Sequence, residues 1–508
     1  MAVLPAILLQ LLQQQQGLLL LVSLFVSFLF LFRASRASLN KPNFPPSPPK
    51  LPIVGNFHQL GTLPHRSLAA LSEKYGPLML LHLGSFPTLV VSSANMAREI
   101  IKTQDLVFSN RFATKATNTF SYGCTDIAFS PYSEYWREVR KICFIKLLTG
   151  KRVKSFKFVR EEKVATMMEE ISRSCQLGIP VDIGQLMQTM TYSLISSVTV
   201  GRNRREKDGS RRLRNLIKEV LVIMGAFSMQ DFFPFLGWID TLTGFRGKIK
   251  KTWKELDAVL DQIIQQHLNS ERNDGEVDEQ DFVGTLLQAQ KDLNLSRDNV
   301  KAVTLDMFVA GIDTSTVTLD WAMAELAKKP NVMKKAQEEV RRVVGQKSKV
   351  EEDDISRMDY LHRIIKETLR LHPPGPFLIP RESITATTID GYHIPSKTRV
   401  FINAWAIQRD PKLWDNPHEF IPERFINNPI DFNDQDLQLL PFGVGRRRCP
   451  GMSFGLASLE LTLANLLYWF DWEFPILTNE ETIDMTEVSG LNVFRKTPLY
   501  LLPKLHFS

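Results

Sequence analysis

The residues best suited to chemistry lie in one short stretch, Pro441 to Gly455, which reads PFGVGRRRCPGMSFG. A single cysteine, Cys449, follows glycines and three arginines and precedes Pro450. Spacing excludes two other uses of such a loop. A dinucleotide fingerprint beginning at Gly443 and Gly445 would need its third glycine where Arg448 stands. A phosphatase-like thiolate loop would need an arginine six residues after the cysteine, and that position is Gly455. What fits is a thiolate presented by a glycine-rich bulge, its charge favoured by the arginines and by the N-terminus of a helix starting near Pro450. A thiolate held in that way can serve as the axial ligand of a haem iron.

Other groups are placed to act with it. From Ser296 to Lys329 the sequence has one long helical pattern, with Val300, Val303, Met307, Ala310, Thr314, Val317, Trp321 and Ala324 recurring at threes and fours along one face. A core helix alone would show that stripe. It would not favour Gly311, which costs roughly 1 kcal/mol there, followed by Asp313 and two hydroxyl residues that compete for backbone hydrogen bonds. The pattern therefore predicts a helix opened locally at Ala310–Thr314. Glu367 and Arg370, at i and i+3, share a helix face and can pair.

These residues together resemble a known family. Phe442, Gly445, Arg447, Cys449 and Gly451 match F-x-x-G-x-R-x-C-x-G, the haem signature of the cytochrome P450 monooxygenases, at chance odds on the order of one in ten million per window. AGIDT at 310–314 is similar to that family's oxygen-activation segment, ETLR at 367–370 to E-x-x-R, PERF at 422–425 to the following P-E-R-F, and WREVR at 136–140 to its W-x-x-x-R helix. PPSPPKLPIVGN, PYSEYWR and AGIDTS resemble the plant microsomal A-type members, with Ser133 where glycine is frequent. The resemblance implies a mainly α fold with small β-sheets, one large domain and an N-terminal membrane anchor. It implies haem b, with Cys449 as metal ligand, Phe442 and Gly443 beside the cofactor, and Trp136, Arg140, Arg381 and Arg447 at the haem propionates. Solvent-facing arginine is the competing reading for each of the three arginines. Thr314 and Asp313 are implied to be catalytic, in oxygen activation and proton supply, with Ala310 and Gly311 leaving room for dioxygen; a back-bonded structural threonine is the alternative. Glu367, Arg370 and Arg424 are implied to be structural, supporting the cysteine loop. Phe120, Met307, Ala310, Gly375, Phe377 and Leu491 fall where the family lines its substrate pocket, in segments that are mostly apolar apart from Ser121, Tyr122, Thr125, Asp126 and Asn492.

The elements that must position these groups belong to a chain of 508 residues, 44% apolar and 23% charged, which excludes wholly disordered, collagenous and multi-span membrane classes. The net charge of +7 is too diffuse to argue for nucleic acid. Cys124, Cys143 and Cys175 read as buried or inert thiols, and four distant cysteines suit a reducing compartment. Gly17 to Phe32 carries no charge, and Arg33, Arg36, Lys41 and Lys50 follow it. Sixteen residues span about 24 Å, short of a roughly 30 Å hydrocarbon core unless Ala2 to Leu12 extends them. A cleaved signal peptide would want a basic leader that is missing. The expected plan is an anchor over 1–40, a proline-rich hinge over 41–52 and a catalytic domain over 53–508, with the body on the cytosolic side of the endoplasmic-reticulum membrane. Leu78 to Val91 reads as a hairpin, Ile384 to Val400 as a second β patch turning at Asp390-Gly391, Leu326 to Val344 as helical, and Glu271 to Asp281 as a solvated loop.

No flavin or nicotinamide fingerprint is present, so electrons come from outside. The implied partner is the membrane-bound NADPH-cytochrome P450 reductase, meeting Lys141, Lys146, Arg446 and Arg448. The implied reaction inserts oxygen from O2 into a lipophilic plant metabolite, with a terpenoid or alkaloid favoured. Two alternatives remain at this stage. One is a haem-thiolate isomerase or dehydratase that needs no O2, and the other a non-catalytic lipid-binding membrane protein.

Overall fold

The computed structural model describes residues 42–201, 207–273, 281–432, 437–475 and 479–506, with Ser27 alone from the N-terminal stretch. The expected anchor therefore lies outside the described residues. The chain divides into two compact units. The smaller comprises Met1–Pro45 and Thr388–Ile394. Its hairpin turns at Asp390 and Gly391, both left-handed with φ of 49° and 76°, as the sequence requires of a tight turn. The larger, Pro46–Thr387 with Pro395–Ser508, holds every candidate site residue.

The larger unit is mainly helical, with small sheets at its margin. Strands β1 (Leu78–Leu83) and β2 (Phe86–Val91) form the predicted hairpin, in register from Leu78 opposite Val91 to Leu83 opposite Phe86. Gly84 closes the turn at φ +60°, and a Cβ there would stand 2.3 Å from the Phe232 carbonyl oxygen, so no other residue fits. β2 runs parallel to Arg399–Ile402, which pairs antiparallel with Arg381–Glu382 and so fixes Arg381 at the sheet edge.

Seven helices carry the site: α1 (Glu134–Ile142), α2 (Ile183–Val200), α3 (Lys207–Met224), α4 (Arg297–Gly311), α5 (Asp313–Lys328), α6 (Asp359–Leu371) and α7 (Met452–Trp469). Ser133 caps α1, its hydroxyl accepting from the Trp136 N–H at 3.1 Å, which gives the serine a use that glycine could not match. Ser296 and Asn299 form a reciprocal capping box that starts α4. The long predicted helix is interrupted at Ile312, as the glycine and hydroxyl residues suggested. Pro330 ends α5 and opens a separate helix, so the Leu326–Val344 pattern is two helices. The supposed loop at 271–281 is helical through Asn273, and Asp281 caps the next helix.

Gly311 has a packing reason that differs from the expected one. A Cβ there would approach Ile195 Cδ1 of α2 to 2.6 Å, so the glycine also lets α2 and α4 come close. Beside this contact, Thr191 and Thr316 join α2 to α5 through hydroxyls 2.8 Å apart.

The Glu367 network ties the helical core to the cysteine loop. Glu367 and Arg370, both fully buried, pair bidentately at 2.7 and 2.8 Å, and Arg424 adds a bond of 2.9 Å to the same carboxylate. The Ile421 N–H completes the carboxylate at 2.8 Å, and Arg370 donates onward to the carbonyls of Gln408, Pro417 and Glu419. Gln408 in turn donates to the Leu369 and Arg370 carbonyls and accepts from Leu440 N–H, the residue before the loop. With every donor and acceptor matched, the ion pair fixes a geometry, and removal of one member strands the others.

Two outcomes follow. Gly311→Ala is expected to cost about 1–3 kcal/mol by overpacking, measured by denaturant unfolding, and Ile195→Val in the same chain to recover most of the loss because it removes the atom in closest approach. Glu367→Ala is expected to cost about 3–5 kcal/mol and to reduce the fraction of protein that retains haem, measured by the ratio of haem to protein absorbance.

Candidate functional site

The cysteine loop is built by two left-handed glycines. Gly443, at φ +62°, donates to the Leu440 carbonyl, and the Cys449 N–H returns to the Phe442 carbonyl at 2.9 Å, closing the bulge. Gly445, at φ +76°, lies so close to its surroundings that a Cβ would stand 2.8 Å from the Ile101 carbonyl oxygen and 3.0 Å from Asp105 Oδ2. Gly451 precedes α7, which begins two residues after the expected start. Phe442 packs edge-on against Phe432 at 5.2 Å.

Cys449 has exposed surface although it lies deep among protein atoms, so its sulfur faces an internal hollow. Ala310 is likewise exposed within a helix whose other turns are buried, and Gly311 and Thr314 are half-exposed beside it. Burial pushes the Cys449 thiol up from its ordinary value; the Gly451 N–H, Arg140 and Arg448 oppose this without overcoming it. The expected thiolate is thus not secured by the arginines and the helix end alone. A metal that displaces the proton would complete it.

Above the loop stands a cluster of buried cations. Arg447 donates to the carbonyls of Ser109 at 2.7 Å, Ile127 at 3.4 Å and Ser130 at 2.6 Å, with its guanidinium 4.0 Å from the Trp136 ring centroid. Arg381 bonds Asp105 at 3.0 Å and the Val444 carbonyl at 3.1 Å. Arg140 reaches the Arg448 carbonyl and lies over Trp136, whose own N–H is taken by Ile127 O at 2.9 Å. Burial, then repulsion from Arg381 and Arg140, lowers Arg447 to about 9. Arg381 is lowered by burial too, although Asp105 opposes it. Arg111, which the sequence reading missed, belongs to the same cluster, donating to the carbonyls of Ala128, Ile379 and Pro380 and lowered by burial and by Arg447 and Arg381. Asp105 was also missed. It accepts from Arg381 and from the Arg446 backbone and side chain, so it ties the cysteine loop to the sheet edge. Four guanidiniums crowded in this way favour an added anion. The donor set fits a haem: a deep sulfur with open surface, and a cluster of cations suited to two carboxylates.

On the other wall, Thr314 Oγ1 donates to the Ala310 carbonyl at 2.6 Å, so the back-bonded conformation weighed above is the one observed. Asp313 is buried at the start of α5, and burial lifts its carboxyl to about 6 against the pull of Lys218 on α3. It can therefore carry or release a proton near neutrality.

The pocket residues named from the sequence do not all converge. Ala310 faces the hollow, and Met307 is partly buried one turn before it. Phe120 is fully buried in the main core. Phe377 lies 5.3 Å from the Phe401 ring and 6.4 Å from that of His65, packed on the small core beneath the sheet. Gly375 is half-buried and accepts from Leu378 N–H at 2.9 Å. Leu491 packs against Gly225 at the end of α3, where a Cβ would stand 2.6 Å from the Leu491 nitrogen. The polar groups of the Phe120–Ala128 segment are mostly turned away: Ser121 bonds Thr117, Tyr122 bonds Asp257 and Asp126 bonds Phe129. Cys124 and Cys143 are buried thiols pushed up by burial, and Cys175 is half-buried.

Comparison with known proteins agrees with this geometry. A family model described as cytochrome P450 matches residues 45–502. The chain is 54% identical to Cytochrome P450 71A1 of Persea americana over 89% of this chain and 92% of the relative. It is 49% identical to desmethylyatein synthase of Sinopodophyllum hexandrum, over 94% and 97%, and 46% identical to strychnine-11-hydroxylase of Strychnos nux-vomica, over 95% and 95%. A zebra fish cytochrome P450 structure titled with progesterone superposes with a TM-score of 0.75 at 24% identity, over 87% of this chain and 99% of that one, which supports the fold. The chain belongs to the cytochrome P450 family: it is a haem-thiolate monooxygenase of the kind that plants use in specialised metabolism.

Proposed function

We propose that this enzyme oxidises a lipophilic specialised metabolite, of terpenoid or alkaloid type, with electrons from NADPH-cytochrome P450 reductase at the endoplasmic-reticulum membrane. The observations that carry the reading are the open surface that Cys449 keeps despite its depth and the exposed Ala310 on an interrupted helix, with a titratable carboxyl and a hydroxyl within the next turn. A relative named strychnine-11-hydroxylase supports an alkaloid substrate. The hydrogen bonds that turn the polar groups of 120–128 away from the hollow favour an apolar one.

Cys449 would hold the iron, Arg111, Arg140, Arg381 and Arg447 would hold the haem carboxylates, and Trp136 would brace Arg140 and Arg447 through its ring. When bound, the haem supplies the activation of dioxygen and the transfer of one oxygen atom. The chain's own residues orient and protonate. Thr314 would hold its hydroxyl proton at the helix break, where its bond to the Ala310 carbonyl sits in an already interrupted backbone ladder and can be given up. Asp313, titrating near 6, relays protons to it from the α3 side. Electrons would enter from the face that carries the exposed Lys141, Lys146 and Arg446 and the half-buried Arg448, where an acidic partner is favoured. Membrane association is supported by exposed Leu51, Ile53, Val54, Phe227, Phe235 and Trp238, which continue into the ring cluster of Phe57, Phe227 and Phe232. The helical run Arg297–Lys328 is apolar and long, but it is mostly buried in the core.

The test is turnover of a plant metabolite extract by microsomes carrying this chain with and without the reductase. Oxygenated products are expected only when reductase, NADPH and O2 are all present; anaerobic turnover without NADPH would favour the isomerase or dehydratase. Thr314→Ala is expected to retain haem and NADPH consumption while product per NADPH falls roughly tenfold, and unchanged coupling would remove the assigned role of Thr314.

A further inference from the structure

Asp126 and Asp306 take no part in the steps above. Asp306 lies on α4 one turn before Ala310, and its Oδ2 accepts from the Ile127 N–H at 2.6 Å, with the Ala128 N–H as a further donor. Asp126 is buried, and its two oxygens accept from the Phe129 N–H at 3.2 and 3.1 Å. The two carboxyls meet on the same loop, Asp306 at the Ile127 N–H and Asp126 at the Phe129 N–H, close enough to interact directly. Two ionised carboxylates offer only acceptors, so this contact requires a proton on one of them.

The surroundings do not supply a substitute. The charged neighbours are Arg447 and Arg111, and the guanidinium hydrogen bonds of both go to backbone carbonyls. Tyr135, Cys124 and Cys143 are the other titratable groups facing the pair, all with protons held on by burial. Meanwhile the loop 125–130 is gripped from two sides. Its carbonyls are held from the haem side, with Thr125 O accepting from Tyr135 at 2.7 Å, Ile127 O from Trp136, Ala128 O from Arg111 and Ser130 O from Arg447. Its N–H groups at 127–129 are held by the two carboxyls.

We propose that Asp126 and Asp306 share one proton, and that this pair is the latch fixing the 125–130 loop against the helix that carries Ala310. Both are positioning residues: they act through the loop, which bounds the hollow and presents carbonyls to the cations above Cys449. Burial lifts Asp126 to about 6, and burial with repulsion from Asp126 lifts Asp306 further. The sign follows from these raised values. The protonated pair is the form the fold favours, so its contribution is fully present below the ordinary carboxylate range and is lost as pH rises through the raised titrations. The tie itself breaks when the shared proton leaves on the alkaline side, and two carboxylates then face each other.

Hydrogen exchange of the segment 120–130, followed by mass spectrometry on the haem-loaded full chain and corrected for intrinsic exchange, tests the latch without needing a substrate. Wild-type protection is expected to fall about tenfold between neutral and alkaline pH, in line with one like-charge contact at partial screening. Asp126→Asn, whose amide can donate to Asp306, is expected to keep the neutral-pH protection and to show no step. Asp306→Asn, donating to Asp126, should behave the same way and serves if the first variant does not fold. A wild-type segment without a pH step, an Asn variant that keeps the step, or an Asn variant unprotected at neutral pH would each overturn the proposal. The readout is the loop itself, so its failure would leave the oxygenase reading intact, and failure of turnover would leave the latch intact.

Discussion

A sulfur ligand for a large planar cofactor has to satisfy two conflicting demands: it must lie deep, away from water, and still face empty space. The fold meets them by presenting Cys449 on a bulge that only glycine can form at Gly443 and Gly445, while Ala310 stays exposed on a helix interrupted two residues later. Neither half would hold alone. The bulge is anchored through Leu440 and Gln408 to the buried Glu367–Arg370 pair, and through Arg446 to Asp105. The helix is anchored by Gly311 against Ile195.

Electrostatics adds a second demand. Arg111, Arg140, Arg381 and Arg447 are held together by backbone carbonyls and Asp105, at the cost of burial, joined at Arg111 and Arg447 by mutual repulsion, which lowers the guanidinium affinities for protons. The carbonyls and Asp105 that accept from these guanidiniums hold the cluster in place. An anionic cofactor placed against it would relieve the repulsion and would couple binding to folding through the same residues. Arg447 and Arg111 draw three of their carbonyls from Ile127, Ala128 and Ser130, which is why the loop's own support matters beyond the shape of the pocket.

Much of this was legible in the chain. The cysteine bulge, the helix break and the i, i+3 pair are local patterns, set by residue types a few positions apart, and the hairpin at Leu78–Val91 announced itself through Gly84 and alternating apolar runs. What stayed hidden depends on long-range partners. Asp105 meets Arg381 and Arg446, Arg111 meets Pro380, and Asp126 meets Asp306, each across many residues and with no period to mark it. The packing of Gly311 was hidden for the same reason, since nothing in the local sequence places Ile195 against it. Phe377 sits in a segment near the cysteine loop, yet its ring turned to Phe401, a choice made by packing beneath the sheet.

The account rests on Cys449 sulfur bound axially to the haem iron. The most direct measurement is the visible spectrum of the reduced, carbon-monoxide-bound protein, compared between wild type and Cys449→Ser. The wild type should show the strongly red-shifted Soret band that a thiolate opposite carbon monoxide produces, and the serine variant should lack it. A wild-type spectrum typical of imidazole ligation, or a red-shifted band that persists without Cys449, would contradict it.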